Sequence, residues 1–487
     1  VRGLKGLTWV GARVDLFRDR KEHDMDWTDF ARWGARIADW GAGYHRGLRD
    51  RRVRAPLVPG ALVAALPGAA PEAPEGMDTI WQDFERLVLP GMTHWQHPRF
   101  FAYFPANACP PSMLAEQAAA ILGAQCMLWQ TSPAASELEG VTIDWLRQAI
   151  GLPDGFRGVI QDSASGATLA AVLVMRERAL DWAGNRAGLA GQGRLRVYAS
   201  DQVHTSIDRA IWVAGIGGDN LVRIPTRGPL RGMDPAALAA AVAADRAAGF
   251  LPAGVIACTG GTATGACDDI AAVAGVAAAE GLYLHVDAAW AGSAMICPEF
   301  RGLWAGVERA DSVVLNPHKW LGVQFDCAAH FLRNPETLVR TLAIRPDYLQ
   351  TFGAEGITDY SEWSIPLGRR FRALKLWFVL RAYGLEGLRA RIRDHVHWSE
   401  GLAARLAEDP RFEIVTPPVL SLFTFRLRGA DDAAQQAFVN RINDDGRIYV
   451  TQTRVAGQVA IRFQVGQFDA TAADVALAGD VLGEMAG

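Results

Sequence analysis

An α/β fold built on a mostly parallel sheet is predicted for this 487-residue chain by three observations. Between about Pro110 and Leu376, short apolar runs at 195–199, 254–258, 282–287, 311–315 and 327–332 alternate with helical patterns at 141–151, 166–184, 232–248 and 268–280. The runs are apolar throughout, which marks strands covered on both faces, the environment of parallel strands joined by helices. Polar residues capable of chemistry follow several of these runs directly, and ligands of open α/β sheets collect at the carboxyl ends of strands.

The other elements frame that core. Residues 1–24 are irregular and charged, so a poorly ordered extension is expected there, with Met25 as the natural start. From Asp26 to about Arg52, Trp27, Phe30, Trp33, Ile37, Trp40 and Tyr44 recur at spacings of three and four, one face of a helix. A Pro/Ala/Gly/Glu linker from Pro67 to Gly76 leads to a second helix from about Asp78 to Val88, stopped by Pro90-Gly91. Together they predict a helical arm over 25–109, which cannot bury its stripe on itself and is expected to pack on a second subunit. Residues 110–376 are expected to form the large domain. Beyond Lys375, a long helical stretch to about Glu408 and strand-like runs at 411–415, 421–427 and 458–465 predict a small α+β domain over 377–487.

Composition narrows the class of function. A chain this long exceeds what one hydrophobic core supports, so two or three domains are expected. The net charge of -4 offers no basic surface for nucleic acid or anionic lipid. No apolar stretch approaches the roughly 20 residues of a spanning helix, and the N-terminus lacks the basic-then-apolar order of a secretory signal. Cysteines at 109, 126, 258, 267, 297 and 327 form no Cys-x-x-Cys pair and no Cys/His metal spacing. No metal is expected, and buried free thiols in a reducing cytoplasm fit best.

The chemistry starts from two strand ends. His285-Val286-Asp287-Ala288-Ala289 closes one apolar run and Asn316-Pro317-His318-Lys319-Trp320 follows another, placing a lysine 32 residues after a carboxylate (319 minus 287). Pyridoxal phosphate needs such a pair: a lysine amine for a Schiff base with its aldehyde, and an acid that keeps its pyridine nitrogen protonated and electron-accepting. Each residue alone reads as a solvated surface charge. At the ends of two apolar runs, the pair reads as a cofactor site. The segment Gly158-Val159-Ile160-Gln161-Asp162-Ser163-Ala164-Ser165-Gly166 adds a strand, small polar residues and a helix start, where backbone N–H groups and a hydroxyl of Ser163 or Ser165 can hold a phosphate. His204 follows another strand, and its flat polar ring can stack on a pyridine ring and hydrogen-bond a substrate carboxylate or a catalytic tyrosine.

Five ordered segments then carry a family resemblance: His97-Pro98-Arg99-Phe100-Phe101-Ala102-Tyr103-Phe104-Pro105, Ser132-Pro133-Ala134-Ala135-Ser136-Glu137-Leu138-Glu139, His285 through Ser293, Asn316 through Trp320, and Pro366-Leu367-Gly368-Arg369-Arg370-Phe371-Arg372. They resemble the aromatic L-amino acid decarboxylases among the group II pyridoxal phosphate enzymes, from about Met25 almost to the C-terminus. The resemblance implies a fold type I, transferase-like α/β architecture and a homodimer with active sites at the subunit interface. It implies Lys319 as the Schiff-base lysine, Asp287 as the pyridinium partner, His204 on the ring, and Ala164, Ser165 and Asn316 at the phosphate. Thr262 and His318 match further cofactor contacts. The segment from Arg345 to Gly356 resembles a mobile catalytic loop, with Tyr348 at the position of the tyrosine that reprotonates the substrate carbon.

The same resemblance places Trp95, Tyr103, Phe104 and Pro105 in an aromatic substrate pocket, with packing as their alternative role. Three positions bear on substrate choice: Ala106 stands where threonine is frequent, Met127 where an aromatic is common, and Gly368 resembles the glycine of indole-accepting plant relatives. Tryptophan-like substrates are therefore favoured, with phenylalanine, tyrosine and DOPA as further possibilities. An aromatic acetaldehyde synthase is the enzymatic alternative, weighed against by Tyr348 and His204; an acidic-substrate decarboxylase fits the aromatic pocket poorly. A non-catalytic cofactor-binding scaffold is the alternative from another class.

Overall fold

The computed structural model describes residues 25–344 and 356–487, so the expectations for 1–24 and for Tyr348 lie outside the described residues. Two compact units result, one ending at His94 and the other starting at Trp95. In the first, helix Trp27–Arg46 starts where the Asp26 carboxylate accepts from the backbone N–H groups of Thr28 and Asp29, the ordinary way to satisfy orphan donors of a first turn. The predicted stripe divides. Trp33 and Trp40 pack against Trp81 of helix Met77–Asp83, at ring-centroid distances of 5.9 and 5.3 Å, while Trp27, Phe30 and Ile37 stay exposed. The expectation that the arm buries none of its stripe internally is thus corrected, because the second helix supplies its own aromatics at matching spacing.

The second unit holds the expected sheet. Its strands are β1 (Arg157–Gln161), β2 (Leu195–Ser200), β3 (Leu221–Ile224), β4 (Leu251–Cys258), β5 (Tyr283–Asp287), β6 (Ser312–Leu315) and β7 (Ala328–Leu332), in the spatial order β1-β7-β6-β5-β4-β2-β3. Pairings among β2 to β6 are parallel; β7 runs antiparallel to both its neighbours. Two reversals restore the direction of β1, so the carboxyl ends of β1, β2, β4, β5 and β6 all reach one edge. Successive residues face opposite cores: Val255 joins helices Pro235–Ala247 and Ile270–Ala279, and Ile256 joins helices Ala164–Ala179 and Ser206–Val213. Burial on both faces explains why these strands lack polar alternation.

Helix Arg372–Glu408 is broken at Gly384, whose φ of 61° only glycine adopts without strain. It leads to a four-stranded antiparallel sheet of β8 (Phe412–Val419), β9 (Leu422–Leu427), β10 (Thr451–Val455) and β11 (Gln458–Gln464), ordered β8-β9-β11-β10. All six cysteines are buried and unpaired. No helix among the described residues is long and apolar enough to cross a membrane.

Two of the quoted motifs meet inside the fold. Arg369 donates through Nη2 and Nη1 to the two carboxylate oxygens of Glu139 at 2.6 and 3.1 Å, and both side chains are almost fully buried. The pair also clamps β1, since Glu139 accepts from Ile160 N–H and Arg369 donates to Ile160 C=O, each at 2.8 Å. Removing one partner strands the other as a buried charge. Arg369→Met is expected to destabilise the protein by about 3–5 kcal/mol in urea unfolding; a loss below about 1 kcal/mol would show that the pair is dispensable.

Candidate functional site

The carboxyl edge of the large sheet surrounds a cavity of about 290 Å³, and most of the predicted site residues line it: Ser163, Ala164, Ser165, His204, Thr262, Asp287, Asn316, His318, Lys319 and Phe104. Each arrives by its own route. Asp287 ends β5, in register with Cys258 on one side and Val314 on the other. One carboxylate oxygen accepts from Ala289 N–H at 3.0 Å, which fixes its rotamer. Lys319 sits in the single helical turn Pro317–Trp320 that follows β6. Ser163 caps helix Ala164–Ala179, its hydroxyl accepting from Gly166 N–H at 3.1 Å and donating to Asp162 at 3.1 Å. His204 lies in the connection after β2, with Nδ1 engaged by Ser206 Oγ at 2.8 Å and Ser206 N–H at 3.1 Å.

Electrostatics sharpen the picture. Burial pushes the Lys319 amine down to about 8; the nearby Asp287 carboxylate opposes that shift, and the Arg462 guanidinium adds to it. Burial, with Lys319 beside it, takes His318 down to about 3. The ring is therefore neutral, and its Nδ1 accepts from Cys327 N–H at 2.8 Å. An amine poised near neutrality is what a carbonyl-condensing lysine requires. The residues present fit pyridoxal phosphate on three counts. The helix start at Ser163–Ser165 offers backbone donors for a phosphate, the Asn316 amide lines the same cavity with its buried Oδ1 unpartnered among the described residues, and a carboxylate and an amine, Asp287 and Lys319, border that cavity together.

A second cavity, of about 530 Å³, shares Phe104, His318, Lys319 and Phe325 with the first and is otherwise lined by Trp95, Pro105, Ala106 and neighbours. The aromatic motif thus splits its duties. Phe100 and Phe101 are core, while Phe104 reaches both cavities. Tyr103 is half exposed, at φ 48°, and stacks on Trp95 at 5.8 Å. Met127 and Gly368 line neither cavity of the single chain. The Met127 carbonyl accepts from Ser361 N–H, and Gly368 faces the Gln125 amide.

Sequence reasoning missed several residues of the site. Cys258, Trp290 and Phe325 line the first cavity; Trp290 lies within a quoted motif, but an indole in an apolar run signals packing. Arg462 carried no signal, being one arginine in an ordinary strand pattern. In the fold it is almost fully buried, donates to the carbonyls of Thr262 and Tyr103, and leaves Nη2 without a partner among the described residues. Burial lowers it to about 9.

Comparison with known proteins gives the family. Residues 59–428 match the pyridoxal-dependent decarboxylase conserved domain. The aromatic-L-amino-acid decarboxylase of Sus scrofa is 42% identical over 459 residues, 91% of this chain and 93% of that one. The phenylacetaldehyde synthase of Arabidopsis thaliana is 37% identical over 457 residues, covering 91% and 92%. The crystal structure of Oryza sativa TDC with PLP and tryptamine superposes with a TM-score of 0.92 at 35% identity, covering 95% of this chain and 98% of that one.

Acetylation of Lys319 in the cofactor-free protein, followed by peptide mapping across pH, is expected to rise through a midpoint near 8. Arg462→Met removes a charge that disfavours the protonated amine, so the midpoint should move up. A parent midpoint at an ordinary lysine value, about 10.4, would overturn this electrostatic account.

Proposed function

The chain belongs to the pyridoxal-dependent decarboxylase family, and from that premise we propose that it decarboxylates an aromatic L-amino acid to the corresponding arylalkylamine and carbon dioxide. The observation that carries this reading is the convergence of Asp287, Lys319 and the Ser163–Ser165 helix start on one cavity that shares Phe104 and Phe325 with a second, aromatic-lined one. When bound, the cofactor supplies a sink for the electron pair left on the α-carbon as carbon dioxide departs. The chain's residues do the rest. Lys319 carries the cofactor through its side-chain nitrogen, and Asp287 keeps a proton on the pyridine nitrogen. The first-turn amides of helix Ala164–Ala179 and the Asn316 amide hold the phosphate. His204 keeps Nδ1 on Ser206, which leaves Nε2 for a bound molecule. Tyr348 delivers a proton to the substrate α-carbon.

Phe104 and Trp95 offer flat apolar faces for the substrate ring. Tryptophan is the favoured substrate, with phenylalanine, tyrosine and DOPA accepted more weakly. The small Ala106 withholds a hydroxyl that a catechol would use. Met127 and Gly368, away from both cavities of one chain, suit contribution to the site of a second copy. The exposed Trp27, Phe30 and Ile37 on the arm suit the same homodimer. A cytoplasmic setting fits six unpaired thiols.

An acetaldehyde synthase is the second reading, favoured by the likeness to the Arabidopsis thaliana protein, and a non-catalytic cofactor-binding scaffold is the third. A panel of aromatic amino acids assayed for amine, aldehyde, peroxide and ammonia separates all three; absence of every product from a cofactor-loaded protein would leave only the scaffold.

Lys319→Ala is expected to abolish turnover, and borohydride reduction of the loaded protein is expected to place the label at position 319; a label elsewhere would refute the assignment. Tyr348→Phe is expected to shift product from amine toward aldehyde, as read by chromatography. Unchanged amine output would remove Tyr348 from protonation.

A further inference from the structure

Lys319 stands on one turn of helix, four residues long, and so short a helix cannot hold its own geometry. Neighbours must hold it. Asn107 donates to the Lys319 carbonyl at 2.8 Å, and its own N–H bonds the His318 carbonyl at 3.0 Å. The other side of the turn is held through Trp320, which is almost fully buried and stacks on Trp290 at 5.0 Å. Trp290 stacks in turn on Phe104 at 4.7 Å. The column returns to its origin, because the Lys319 amine lies 4.9 Å from the centroid of the Phe104 ring.

The far end of this column is polar. Trp320 Nε1–H donates to Nδ1 of His395 at 2.9 Å. His395 belongs to helix Arg372–Glu408, is fully buried, and lies parallel to the Trp320 ring within 7°. An acceptor at Nδ1 puts the proton of the neutral ring on Nε2, and Nε2 is buried with no partner among the described residues. Burial, with the Arg391 charge adding to it, takes the ring down to about 3, so it stays neutral at working pH. A buried N–H without a partner costs stability, and a leucine here would remove that cost only by leaving the buried Trp320 Nε1–H without its acceptor instead. Among the described residues, the hold on Trp320 is the one hydrogen bond of the His395 side chain.

We propose that His395 is a positioning residue for Lys319: by accepting from Trp320 it fixes the indole, and through the Trp290–Phe104 stack it fixes both the turn that bears the amine and the aromatic face beneath it. The proposal rests on Lys319 being the cofactor-bearing residue. His395 touches neither cavity, so its effect runs entirely through the stack. Loss of the acceptor lets the indole rotate and the turn relax, which loosens the amine from its desolvated position between Asp287 and Arg462.

The test compares His395→Leu, which fills similar volume without an acceptor, with His395→Asn, whose side-chain oxygen can stand in for Nδ1. Acetylation mapping of the cofactor-free proteins gives the Lys319 midpoint without any turnover. His395→Leu is expected to raise that midpoint by about one unit and to lower kcat by about tenfold with KM little changed, while thermal stability holds. His395→Asn is expected to restore both to near parental values. An unchanged midpoint in His395→Leu, or an Asn variant as impaired as the Leu variant, would overturn the proposal. Borohydride mapping of the parent is the control: a label away from 319 sinks the cofactor assignment itself, whereas a label at 319 with an unmoved midpoint sinks only the role of His395.

Discussion

The site depends on a lysine amine taken out of water beside a single carboxylate. Burial alone would drive the Lys319 amine toward the neutral form; Asp287 pulls the other way, and the balance leaves it near 8. A charge moved into low dielectric is costly unless it is paired or can shed its proton. The large sheet makes this balance possible. Adjacent parallel strands bring the ends of β5 and β6 side by side, so a carboxylate on one and a turn after the other must meet.

Charge is handled differently elsewhere in the same unit. Glu139 and Arg369 satisfy one another and the backbone of β1. Arg462 is the opposite case, buried with one nitrogen unpartnered among the described residues, and its field reaches Lys319. Both sets of residues look alike as letters in a sequence. Their surroundings decide whether they brace the fold or tune the chemistry.

Much of the large unit was legible beforehand because its strands are apolar on both faces and its helices are separated by clear breaks. The runs at 195–199, 282–287 and 311–315 are strands within a residue or two of those bounds. The convergence of Asp287, Lys319 and Ser163 followed from strand ends in a parallel sheet. What escaped has physical reasons. β10 is Thr-Gln-Thr-Arg-Val, a polar alternating edge strand with no apolar run to announce it. Helix Ser206–Val213 and β3 are too short for their periodicity to stand out. The aromatic motif around Phe100 looked uniform, yet its members divide between core and cavity, since side-chain direction depends on a backbone path that includes Tyr103 at positive φ. Arg462 and His395 matter through neighbours distant in sequence, which no local pattern reports.

The antiparallel course of β7 has a consequence for how such a protein can diverge. Because the chain turns back after Lys319 without crossing over the sheet, the lysine, Gln324 and Phe325 are borne on one short hairpin-like return that walls both cavities. On the proposed assignment of Lys319, specificity and covalent attachment would be mechanically joined: an insertion or a shift in this return that reshapes the wall of the second cavity would also displace the lysine. Changes in substrate preference would then fall more readily on surfaces contributed from elsewhere in the chain, such as Trp95 and Ala106.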